Sequence, residues 1–140
     1  MRKELTDEWQ ERGVTQEKDY AILTNEMTKA WSGLSVQEYK QFKGLKKENL
    51  RDNMTNIELV LNMLAEVTTT GISRAEQPKT FTENKAVAKR GGNVARNARL
   101  DIEREIQQSV VSPLNASNKP LLEVEAEKKD LLLGEENKKK

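Results

Sequence analysis

The sequence predicts an all-α fold: a small helical domain around a central buried helix, one long amphipathic helix, and a disordered charged C-terminal tail. Three observations predict it. Thr55 and Glu58 stand three residues apart, the reciprocal capping box that satisfies two orphan amides at a helix start. Behind that box Ile57, Val60, Leu61, Leu64 and Val67 recur at helical spacing. Further on, Val87, Gly91, Val94, Ala95, Ala98, Ile102 and Ile106 recur at steps of three and four.

In chain order, Leu5 to Arg12 is a short charged helix with Leu5 and Trp9 one turn apart, ended by Gly13. Thr15 is placed to cap the next helix, near Gln16 to Trp31, where Tyr20, Leu23, Met27, Ala30 and Trp31 share one face. Ser32-Gly33-Leu34 is a turn. Ser35 and Glu38 form a second capping box, opening a short helix that carries Tyr39 and Phe42 and stops at Gly44. Two helices joined by a glycine turn admit two readings. One is a helix-turn-helix presenting Gln37, Lys40, Gln41 and Lys43; the other is a helical hairpin that buries Trp31, Tyr39 and Phe42. Lys43 to Asn53 is then a basic connecting segment with Leu45 and Leu50 as anchors.

Thr55 to Val67 is the expected centre of the domain. Leu59 and Met63 widen its apolar stripe, and Glu58, Asn62 and Glu66 form one narrow polar line. A helix apolar over most of its circumference needs neighbours on several sides. Thr68 to Pro78 reads as a polar loop, because Pro78 discourages helix at Gln77. The long helix runs from about Thr82 to Gln108. Gly91-Gly92 admits two readings, a bend or break in this helix, or close approach of a partner helix; the latter is favoured for Gly91, which lies on the seam, whereas nothing in the sequence gives Gly92 a packing role. After Gln108 a short extended segment follows, and Pro113 and Pro120 flank a polar linker. Residues 5–118 form the expected helical domain and 119–140 the charged tail.

Composition limits the chemistry. The chain has 140 residues, with 24 Lys and Arg against 23 Asp and Glu, so net charge points to no partner. It contains neither Cys nor His, which removes thiol nucleophiles, Ser-His and Cys-His pairs, and zinc sites that need those ligands. No signal peptide and no apolar run long enough to cross a bilayer is visible, so a cytoplasmic protein without a membrane contact is expected. No phosphate loop or catalytic constellation emerges, and neither enzymatic activity nor a cofactor is expected.

The candidate binding residues are cationic. Lys85, Lys89, Arg96 and Arg99 fall within about 80° of one another, facing away from the seam of the long helix. Arg90 belongs to the same acid-free run. A row of this kind suits nucleic-acid phosphates, and is equally the ordinary solvated face of a helix. Lys43, Lys46, Lys47 and Arg51 form a second basic cluster.

Several separated motifs then carry a resemblance. Asp19-Tyr20-Ala21, Asn25, Gly33-Leu34, Lys43-Gly44-Leu45-Lys46-Lys47 and Glu58-Leu59 resemble the C-terminal half of the DNA-damage-inducible protein D family. Lys89-Arg90-Gly91-Gly92, Val94-Ala95, Asn97-Ala98-Arg99 and Ile102-Glu103 are similar to that family's final helix. The resemblance runs from about Leu5 to Asn118. Family members typically carry an N-terminal half similar to phage antirepressor or Bro-type DNA-binding domains, and nothing in these residues corresponds to it. The resemblance implies a role in the bacterial SOS response, including modulation of RecA filaments on single-stranded DNA, and it offers no catalytic residues. Two functions follow as expectations. The first is a non-enzymatic module acting on a protein partner such as a recombinase filament. The second is a direct nucleic-acid-binding or antirepressor-like module using the basic stripe. An exposed apolar patch beside the stripe favours the first. A positive groove with exposed Trp31, Tyr39 or Phe42 favours the second.

Overall fold

The computed structural model describes residues 2–115, and the expected tail lies outside them. Every regular element among the described residues is helical: α1 (Arg2–Glu11), α2 (Glu17–Ser32), α3 (Val36–Phe42), a 3-10 turn (Arg51–Asn53), α4 (Asn56–Glu76) and α5 (Phe81–Ile106). Both capping boxes form as the sequence requires, Ser35 with Glu38 and Thr55 with Glu58. Thr15 does not cap α2, because Gln16 occupies the cap position and makes no side-chain bond there. Gly33 ends α2 at φ 84°, a left-handed conformation that a Cβ disfavours.

α4 packs against α1, α2 and α5, and α5 is seated most closely, packing along both α2 and α4. The reason is its glycine pair. Successive residues on a helix point about 100° apart, so Gly91 and Gly92 face different neighbours. A Cβ on Gly91 would lie 2.8 Å from Thr69 N and 2.9 Å from Thr69 Cα of α4. One on Gly92 would lie 2.5 Å from Met27 O and 2.6 Å from Ala30 Cβ of α2. Both glycines are therefore required, which corrects the reading that Gly92 has no packing role. Ala88 and Ala95 extend the same narrow corner and are fully buried.

α4 departs from expectation in two ways. It continues through Gly71 to Glu76, so the polar loop expected over Thr68 to Pro78 shrinks to the short linker 77–80. Thr69, Thr70 and Ser73 are buried against the rest of the bundle, and that packing outweighs their modest helix propensity. The second departure concerns direction. The polar line Glu58, Asn62 and Glu66 points inward and is buried, while Ile57, Val60 and Val67 are 40%, 62% and 45% exposed. Leu61 is buried as expected, but Leu64 is only partly so. The apolar face that seemed to demand neighbours is the outer one.

The inward orientation holds because Glu58, Asn62 and Glu66 each accept hydrogen bonds from side chains packed against them. Glu58 accepts from the Tyr39 hydroxyl, from Lys43 Nζ at 2.7 Å and from Ser112 N at 3.1 Å. Asn62 Oδ1 accepts from Trp31 Nε1 at 3.3 Å. Glu66 takes both of its bonds from Arg51 Nη1, at 2.7 and 2.8 Å. Lys43 also donates to Ser112 O and Leu114 O at 2.8 and 2.7 Å, and so ties the segment after α5 across the start of α4. Burial, with Glu58 beside it, pushes the Tyr39 phenol far above its ordinary range, so it remains a protonated donor.

Two stability predictions follow from this packing. Gly92→Ala should destabilise by about 1–3 kcal/mol through overpacking. Gly71→Ala, with nothing within 4 Å of an added Cβ, should stabilise by about 0.5–1 kcal/mol. Denaturant melts of the two variants should therefore move in opposite directions. Lys43→Met should lose about 3–5 kcal/mol, because it leaves a buried carboxylate without its cation. Adding Glu58→Gln should recover part of that loss, a non-additivity read directly from the double variant.

Candidate functional site: an uncharged helix face and a basic cleft

Two surface features stand out. The first is the outer face of α4. Ile57, Val60 and Val67 are exposed on it, and Leu64 between them is half-buried against the core; the four follow one another at steps of three, four and three. Between Asn56 and Arg74 the only charged residues are Glu58 and Glu66, and both are buried on the opposite side. An exposed helix face of this length without a charge is unusual for a chain that is 34% charged.

The second is a cleft of about 480 Å³ between α2 and α5, lined by Glu26, Lys29, Ala30, Gly33, Lys89, Asn93, Arg96 and Arg99. It gathers part of the predicted stripe and adds Lys29 and Asn93, which sequence reading passed over. Lys29 comes from α2, and only the packing of α2 on α5 brings it beside Lys89 and Arg96. Lys29, Lys89 and Arg96 are exposed and make no ion pair among the described residues. Leu100, 40% exposed, lies one turn beyond Arg96.

The other predicted cations are engaged elsewhere. Arg99 donates through Nε to Trp31 O at 2.8 Å and through Nη1 to Glu103, neutralising the carbonyl end of α2. Lys85 stands 3.9 Å from Glu26 at the rim. Arg90 points to a different side and pairs with Glu76 of α4 at 2.8 Å. Of the second cluster, Lys46 and Lys47 are exposed, whereas Arg51 is bound to Glu66 and Lys43 is buried with Glu58. Lys43 is therefore not presented to a partner, which also removes it from the helix-turn-helix reading. Trp31 and Tyr39 are fully buried, as in a helical hairpin, while Phe42 is 47% exposed, which that reading did not expect.

A further cavity of about 280 Å³ is lined by Arg2, Thr24, Lys40, Arg51 and Glu66 among others. Its charges are largely engaged: Arg51 sits on Glu66, and Arg2 donates to the Thr24 hydroxyl at 2.7 Å and stands 3.8 Å from Glu66. Among the described residues no group of Asp or Glu is placed to hold a metal ion, and no helix is long and apolar enough to cross a membrane.

These features define a small all-helical domain with an exposed apolar helix face and a basic cleft. The sequence profile described as the DinD C-terminal domain matches residues 1–117. The chain belongs to the DinD family, DNA-damage-inducible proteins, through that C-terminal domain. No curated protein and no solved structure matches it.

The division of the cations yields a prediction. Lys89→Gln with Arg96→Gln should change the unfolding midpoint little, as exposed unpaired charges generally do. Arg99→Gln should destabilise by about 1–2 kcal/mol, since it leaves Trp31 O and Glu103 without a partner. Thermal melts of the variants would show the difference.

Proposed function

We propose that this chain is a non-enzymatic interaction module of the bacterial DNA-damage response that modulates a recombinase filament, docking on protein through the outer face of α4. The observation that carries this reading is the exposure of Ile57, Val60 and Val67 on a helix face without any exposed charge. Apolar area of this kind gains free energy when a protein partner removes it from water, at about 25 cal/mol per Å². DinD family membership supports the damage-response context, and the resemblance to DNA-damage-inducible protein D points to a RecA filament as the partner.

The alternative, a direct nucleic-acid-binding or antirepressor-like module, draws on the basic cleft. The burial of Trp31 and Tyr39 weakens it, because a single-strand binder uses exposed rings as stacking platforms. Lys29, Lys89 and Arg96 remain suited to phosphates. Single-strand contacts by all three would give a salt slope of about 2.1, at 0.7 per phosphate contact.

Val60→Glu should keep the fold, since the side chain is 62% exposed, and should weaken modulation of a recombinase filament at least tenfold, as loss of a central interface contact does. Exchange of Lys29, Lys89 and Arg96 for Gln should leave that modulation largely intact. The measurement is filament assembly and disassembly on single-stranded DNA, with direct DNA binding followed at two salt concentrations. Full modulation by the Val60→Glu protein, together with tight salt-sensitive DNA binding lost in the triple variant, would replace this reading with the nucleic-acid one.

A further inference from the structure

The cavity of about 280 Å³ on the inner side of α4 carries more positive charge than the fold uses. Four ionisable groups line it, the cations Arg2, Lys40 and Arg51 and the single acid Glu66. Glu66 takes both of its bonds from one nitrogen, Arg51 Nη1. The two-nitrogen fork that an arginine usually offers a carboxylate is not used, so Arg51 keeps donors to spare. Arg2 is similar. Its Nη2 donates to the Thr24 hydroxyl at 2.7 Å, while its Nη1 stands 3.8 Å from Glu66, outside hydrogen-bond distance. Burial presses the Arg2 guanidinium below its ordinary value against the pull of Glu66, and the neighbouring Arg51 adds to the effect. Lys40 makes no ion pair among the described residues. Two neutral donors join these cations. Trp31 Nε1 can only donate, so its bond fixes the Asn62 oxygen and leaves Asn62 Nδ2 without a partner among the described residues, on a side chain 8% exposed. The buried Thr28 hydroxyl also makes no bond there. Both residues line the cavity.

We propose that this cavity binds a phosphate monoester of about mononucleotide size, its phosphate held by Arg2, Lys40 and Arg51 and its body set against the apolar wall of Met27, Leu50 and Met54. Charge selects the ligand. Three cations against one carboxylate leave an excess of two, and a phosphate monoester carries about −1.5 to −2 at pH 7. A carboxylate or a phosphodiester brings only one charge. Arginine forks match phosphate oxygens, and the unpartnered donors of Asn62 and Thr28 gain acceptors. The volume lies at the lower edge of small-ligand sites, about 300 Å³, which is room for one nucleotide. Two sources offer this group, a free nucleotide and the 5′-phosphorylated end of a DNA strand. The ligand joins α1, α3 and the 3-10 turn, and the site is separate from the outer face of α4.

Isothermal titration of the full chain with adenosine monophosphate should give a Kd below about 1 mM, at least tenfold tighter than with adenosine. Inorganic phosphate should compete with the nucleotide. Trp31, bonded to Asn62, and Trp9, 5.7 Å beneath Arg2, should report the same occupancy by fluorescence. Lys40→Gln removes a cation without an ion pair, so it should leave the unfolding midpoint in place and weaken nucleotide binding at least tenfold. Arg51→Gln alone strands the Glu66 carboxylate, so it is combined with Glu66→Gln; the folded double variant should lose binding. Lys89→Gln with Arg96→Gln, in the cleft between α2 and α5, should leave binding unchanged. Unaltered affinity in the Lys40→Gln protein, or loss only in the cleft variant, would overturn the proposal. Equal affinity for nucleotide and nucleoside, or no binding at about 10 mM, would do the same. Short single strands with and without a 5′-phosphate separate the sources. A tenfold preference for the phosphorylated strand, lost in Lys40→Gln, identifies the strand end; equal binding of the two strands assigns the site to the free nucleotide.

Discussion

The buried carboxylate of Glu58 is the constraint on which the rest of this bundle depends. A carboxylate taken out of water must have its charge and lone pairs met, or it costs several kcal/mol. Here Tyr39 from α3, Lys43 just after α3 and Ser112 beyond α5 converge on it. Two distant parts of the chain, the α3 end and the segment after α5, are thereby fixed to one point on α4. Glu66 repeats the device with Arg51, and Glu8 does so with Ser73 at 3.0 Å and Arg12 at 3.0 Å. Pairs of this kind contribute less to stability than to selecting one arrangement. A rotation of α4 about its axis would leave charged groups unpaired at Glu58 and Glu66 together. The exposed apolar face follows from that choice. With its polar line held inward, α4 has no option but to turn Ile57, Val60 and Val67 outward.

Close helix approach is the complementary device. Gly91 and Gly92 seat α5 in the corner between α4 and α2, with backbone atoms of both neighbours where side chains would otherwise stand. Small residues at such a corner bury little apolar area. Dispersion contacts between closely spaced backbones, and the large core side chains Trp9, Trp31, Leu23 and Met27, supply the cohesion. The same seating brings Lys29 of α2 alongside Lys89 and Arg96 of α5, so the basic cleft is a by-product of the glycine pair.

The near-neutral total charge conceals an uneven division of labour. Arg51, Lys43 and Arg99 act as internal fasteners on Glu66, Glu58 and the end of α2. Lys29, Lys89 and Arg96 are left outside, in a cleft that Glu26 also lines, and make no ion pair among the described residues. The acids Glu58 and Glu66, by being buried, leave one helix face without charge.

The sequence by itself determined where the five helices lie and how two of them, α3 and α4, begin, because capping boxes, glycine stops and three-four spacing are local signals. Ser35 with Glu38 and Thr55 with Glu58 behave as any isolated helix start would. Membership of the DinD family was equally legible in the ordered motifs. What only the tertiary structure decided was direction. The stripe Ile57, Val60, Leu64 and Val67 was visible in the sequence, but hydrophobicity alone assigns it to the core. The partners that reverse this, Lys43, Arg51, Trp31 and Ser112, are remote in the chain, and no local pattern announces an ion pair between residues 43 and 58. The continuation of α4 past Val67 was hidden for the same reason, since Thr69, Thr70 and Ser73 become helical by being packed. Gly92 looked idle until Met27 and Ala30 stood against it, because a glycine's role is written in its neighbour.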